Sequence, residues 1–95
     1  MKIRVTLADQ PFRFIRRQPP DSRRALRQML HAVETGKAFP EPLTGELEGF
    51  YKRKVSSYRM ILQAETAEAG PRFHVVFAER RDAVYVLFTE IVGLE

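Results

Sequence analysis

Ninety-five residues, 44% hydrophobic and 29% charged with no cysteine, fit one small globular domain over residues 1–95 and exclude disulfides, iron–sulfur clusters and thiolate zinc. So short a chain has too little core to enclose a large cofactor, and its opening shows no signal-peptide pattern and no stretch nears the ~20 apolar residues of a bilayer span, so a soluble, cytoplasmic protein without cofactor is expected. The net charge of +4 is uneven, residues 1–37 holding nine Lys/Arg against three acids and residues 38–95 seven against nine, which points to a polyanionic partner for the first third.

Residues 2–7 alternate, with Ile3, Val5 and Leu7 against Lys2, Arg4 and Thr6, the two-residue period of a half-buried strand. Asp9 and Pro11 open a helix that places Phe12 and Ile15 on one face and ends near Gln18, where Pro19 and Pro20 forbid continuation. A second helix runs from residues 20–22 to about Thr35, with Gly36 placed for its left-handed terminus. Leu26, Met29, Leu30 and Val33 form its buried stripe, and Arg23, Arg24, Arg27 and His31 lie mostly off it. Two short helices joined at a proline link read as an antiparallel hairpin with a basic outer surface.

Residues 37–48 contain Pro40, Pro42 and Gly45 and read as a crossing loop anchored by Phe39 and Leu43. Residues 49–55, 58–64, 72–78 and 83–89 are rich in aromatic and β-branched residues and read as four strands. Ser56 and Ser57 supply the first turn, residues 65–71 a polar loop and residues 79–82 a tight charged turn. The expected fold class is α+β: an N-terminal strand, a helical hairpin on one face, and a four-stranded antiparallel sheet.

On a strand over 49–55, Lys52 and Lys54 project from one face about 6–7 Å apart. Arg59, two residues past the serine turn, returns beside them. Three cations on one sheet face make a phosphodiester site, and the alternative is a solvated hairpin face where Lys and Arg are ordinary. Tyr51 and Val55 suit the core, but Arg53 stands between them, so either its stem snorkels past the sheet edge or the strand is bulged. Arg80, Arg81 and Tyr85 form a second cluster, where a guanidinium can hold a phosphate and a tyrosine ring can stack on a base. His31 and His74 have no carboxylate or second histidine at ligand spacing, so no metal site is expected.

The element order, the stretch LTGELEGFYKRKVSSYRMIL and the later FAERRDAVY resemble the RelE/ParE superfamily of toxins from bacterial toxin–antitoxin systems. Leu43 and Gly45, Lys52 and Lys54, Tyr58 and Arg59, Arg81, and Val84–Tyr85 match the family pattern in order. The resemblance implies a ribosome-dependent messenger RNA endonuclease that uses the RNA's own 2′-hydroxyl and leaves a 2′,3′-cyclic phosphate. It implies that Lys52 and Lys54 activate the hydroxyl and hold the scissile phosphate, and that Arg59 stabilises the transition state. Arg81, or Arg80 in a shifted register, would assist the leaving oxygen, and Tyr85 would stack on the nucleotide. Implied partners are an acidic cognate antitoxin, the ribosome and messenger RNA, with Arg23, Arg24, Arg27, Arg53 and Arg80 as binding residues. Arg53 departs from the aliphatic residue usual between the two lysines, and family members often continue past the last strand into a helix or polar tail. Two other readings stay open: a ParE-like inhibitor of DNA gyrase, and a non-catalytic module that only binds RNA or a partner.

Overall fold

Alternation and proline placement determine the first half of the chain. In the computed structural model, which describes residues 3–67 and 70–93, β1 covers Arg4–Leu7, α1 Asp9–Arg17 and α2 Pro20–Glu34. Lys2, expected in the first strand, lies outside the described residues. Pro11 and Ile15, one turn apart, are the buried residues of α1. The helix closes with the Gln18 N–H donating to the Ile15 carbonyl, and Pro20 opens α2 in a first turn whose N–H would be unpaired anyway. Leu26 and Val33 are fully buried in α2, and Gly36, just past its end, takes φ +76°.

Then follow β2 (Glu41–Pro42), a 3-10 turn at Gly45–Leu47, β3 (Phe50–Val55), β4 (Tyr58–Ala67) and β5 (Gly70–Arg80). The sheet order is β1-β5-β4-β3-β2; β1 runs parallel to β5 and the other pairs are antiparallel. The first of the four strands after the hairpin is thus the two-residue β2, inside the expected loop. Phe39 does not anchor that loop by its ring, which is 67% exposed; its carbonyl accepts from Arg53 Nη1 at 2.9 Å instead. The expected loop over 65–71 is mostly strand, with residues 68–69 outside the described residues.

The expected strand over 83–89 is a helix, α3 (Val84–Gly93). Val84 and Phe88 are its buried residues, with Tyr85 and Val92 packed beside them, a spacing of one helical face. A strand would have put Val86 on the buried face with them, yet Val86 is 64% exposed. Packing overrides the β-propensity of this segment. The helices therefore cover both faces of the sheet rather than one. On one face α1 and α2 bury Ile15 and Leu26 against Val55, Tyr58, Met60, Leu62, Val75 and Ala78. On the other α3 and the 3-10 turn bury Val84, Phe88 and Leu47 against Ile61 and Phe77.

Two local devices adjust this frame. A bulge places Val76 as an extra residue in β5, because Leu62 pairs with Val75 while the adjacent Ile61 pairs with Phe77. Gln10 of α1 completes the β5 edge where β1 has ended: its Nε2 donates to the Ala78 carbonyl at 2.7 Å and its Oε1 accepts from the Ala78 N–H at 2.8 Å. Gly49, entering β3, has φ +99° with open space around an added Cβ, so Gly49→Ala meets only backbone strain. A loss of about 1–2 kcal/mol is expected, read as a fall in melting temperature of roughly 5–10 °C.

Candidate functional site

The regular register between β3 and β4 places Lys54 opposite Arg59 and Lys52 opposite Ile61. Since Ile61 lies on the α3 face, the pleat sends Lys52, Lys54 and Arg59 to that face together. Lys54 is exposed there, and Lys52 and Arg59 are half-buried. β5 extends the row, with Glu79 opposite Arg59, and β2 adds Glu41 opposite Lys52. Neither carboxylate neutralises the cluster: among the described residues the ion pairs are Asp21–Arg24, His31–Glu34 and Glu65–Arg72. Arg59 Nη1 instead donates to the carbonyls of Ser56 at 3.0 Å and Tyr58 at 2.7 Å, and one Glu79 oxygen accepts from the Arg80 N–H at 3.0 Å.

Arg81 and Tyr85 are brought to the same end of the sheet. The Arg81 N–H donates to the Ser57 carbonyl at 2.8 Å, which fastens the start of the α3 connection to the β3–β4 turn and leaves Arg81 exposed. Tyr85, in the first turn of α3, is half-buried against the Ile61, Phe77 and Phe88 cluster. Arg80 and Arg53 are not part of this group. Arg80 pairs with Tyr58 and Arg53 with Met60, both on the hairpin face. The Arg53 stem crosses α2, its Nε donating to Met29 Sδ at 3.2 Å, so the snorkelling arrangement holds and β3 carries no bulge.

Arg23, Arg24 and Arg27 line an open groove along α2 with Pro20, Gln28 and His31. Arg13, Arg16 and Arg17 line shallower ones on α1, so the hairpin presents six arginines. The α1 trio was legible from its i, i+3, i+4 spacing on an exposed helix face. Because the hairpin packs on one face of the sheet and Lys52, Lys54 and Arg59 stand on the other, the two cationic surfaces point in opposite directions. His74 sits apart, its Nδ1 hydrogen-bonded to Thr6 Oγ1 at 2.7 Å, and among the described residues no three metal-ligating side chains converge. No described helix is long and apolar enough to cross a membrane.

No protein-family model matches this sequence and no curated protein matches it, whereas solved structures do. The RelBE2 toxin–antitoxin complex from Mycobacterium tuberculosis matches with a TM-score of 0.71 and 16% identity, over 85% of this chain and 100% of that one. A mutant of the Escherichia coli toxin RelE in the free state matches with a TM-score of 0.70 and 18% identity, over 100% of both chains. A YoeB/ParE toxin from Agrobacterium tumefaciens matches at 0.62 and 17% identity, over 83% of this chain and 99% of that one. With its strand, helical hairpin, antiparallel strands and final helix, this chain has the RelE-like fold shared by those toxins.

Proposed function

We propose that this protein is the toxin of a type II toxin–antitoxin pair and cleaves messenger RNA on the ribosome. The observation that carries the reading is the group formed by Lys52, Lys54 and Arg59, on one open sheet face and without carboxylate partners, beside Arg81 and Tyr85 in a RelE-like fold. When RNA supplies its own 2′-hydroxyl as nucleophile, the protein's task is to position the phosphodiester and stabilise the charge that grows on it. Lysine and arginine side chains do both. Tyr85, anchored by its packing at the edge of the cluster, offers a ring for stacking on a base. The arginines of the hairpin, facing away from this site, are available to a second polyanionic surface: ribosomal RNA, or an acidic antitoxin like the partner present in the RelBE2 complex. Both partners fit a cytoplasmic location.

Purified protein with programmed ribosomes is expected to cut messenger RNA and leave 2′,3′-cyclic phosphate ends, and Arg59→Ala is expected to slow the cut about 100-fold. Intact message in the wild-type reaction would refute the nuclease reading. The YoeB/ParE neighbour supports a second reading, inhibition of DNA gyrase. Loss of supercoiling by purified gyrase, with no RNA cleavage, would establish it in place of the first.

A further inference from the structure

We infer that Glu79 is the general base of the RNA cleavage proposed above, with Arg59 on the phosphate and Lys54 as the acid, an inference that rests on the nuclease reading. Lys54, Arg59 and Glu79 stand side by side on three adjacent strands, in register. Two strand spacings separate the outer members by about 10 Å at the backbone. Attack of a 2′-oxygen on phosphorus expels the 5′-oxygen from the opposite side, so the group that takes a proton and the group that gives one must flank the phosphate. This row supplies that order: acceptor, cation, donor.

The bonding state of each member fits its part. Glu79 is the carboxylate in this row. One of its oxygens is held by the Arg80 N–H, which fixes the side chain, and among the described residues the other has no hydrogen-bond partner or ion pair. Although Arg59 is its direct cross-strand neighbour, the guanidinium is turned to the Ser56 and Tyr58 carbonyls. A lysine ammonium carries donors and no acceptor, which suits Lys54 to the leaving side. In the step, the 2′-hydroxyl proton passes to Glu79 as the O2′–P bond forms. The P–O5′ bond breaks with its electron pair on the 5′-oxygen, which takes a proton from Lys54.

The Val76 bulge is what makes this row. In an unbroken hairpin register the residue opposite Arg59 would be Ala78, and Arg80 rather than Glu79 would point to the α3 face.

In single-turnover cleavage of ribosome-bound messenger RNA, Glu79→Gln, which keeps an acceptor for the Arg80 N–H, is expected to slow the cut about 100-fold or more with unchanged binding to the programmed ribosome. Glu41→Gln, beside Lys52 and outside the row, is expected to cleave as wild type does. When sulfur replaces the scissile 5′-oxygen the leaving group needs no proton, so Lys54→Ala should recover on that substrate and Glu79→Gln should not. Cleavage by Glu79→Gln at the wild-type rate, or its rescue by sulfur, would overturn the assignment and leave the nuclease reading standing. Absence of cleavage by the wild type would remove both.

Discussion

Gln10→Ala is expected to cost about 3–4 kcal/mol, although Gln10 belongs to no hydrophobic cluster and lies on the first turn of a helix. The Gln10 carboxamide occupies the place of a missing strand, giving Ala78 both a donor and an acceptor at 2.7 and 2.8 Å. Ala78 is fully buried. Alanine would leave a buried N–H and a buried carbonyl unpaired at once, each costing about 1–3 kcal/mol, with entering water relieving part of the sum. For a domain whose whole stability lies in the range of about 5–15 kcal/mol, the melting temperature should fall by roughly 15–25 °C. Gln10→Glu separates the two bonds, because a carboxylate still accepts from the Ala78 N–H but faces the carbonyl without a donor. It should therefore lose at least half as much. A melting temperature within a few degrees of wild type for Gln10→Ala would show that the β5 edge is satisfied some other way.

How far the sequence discloses such features depends on the range of the interaction behind them. Local rules locate β1, the proline-bounded helices and the β3–β4 hairpin, since alternation, proline and a two-serine turn act over a few residues. The same alternation places Lys52, Lys54 and Arg59 on one face. Local rules fail at α3, where Val84, Tyr85, Val86 and Phe88 carry strand propensity and only the distant Ile61, Phe77 and Phe50 select the helical face. They fail again at Val76, because a one-residue bulge leaves no mark in a run of apolar and aromatic residues. That bulge exchanges Arg80 for Glu79 beside Arg59, so a basic site read from sequence becomes one containing a carboxylate. Gln10 is invisible for the same reason: its partner is 68 residues away.

Phe88→Ala is expected to cost about 3–5 kcal/mol, the usual range for removing a buried phenylalanine ring. Phe88 is 4% exposed and is the point at which α3 grips the sheet, edge-on to Phe50 with ring centroids 5.0 Å apart and tilted against Phe77 at 5.7 Å. Little else holds the helix down. Val86, Leu87 and Ile91 face outward, leaving Val84 buried at the first turn with Tyr85 and Val92 half-buried. Isolated helices of this length are unstable in water, so loss of the contact should release α3 before the sheet opens. Chemical denaturation would read the total loss, and amide hydrogen exchange would read its distribution, with protection falling further in α3 than in β4 and β5. Phe88→Leu, which keeps most of the buried volume, should lose less. Because Tyr85 is carried on the same helix, Phe88→Ala should also impair RNA cleavage while Lys52, Lys54 and Arg59 remain on an intact sheet. Exchange rising equally in sheet and helix would mean that the two open as one unit and that this aromatic contact is not the hinge between them.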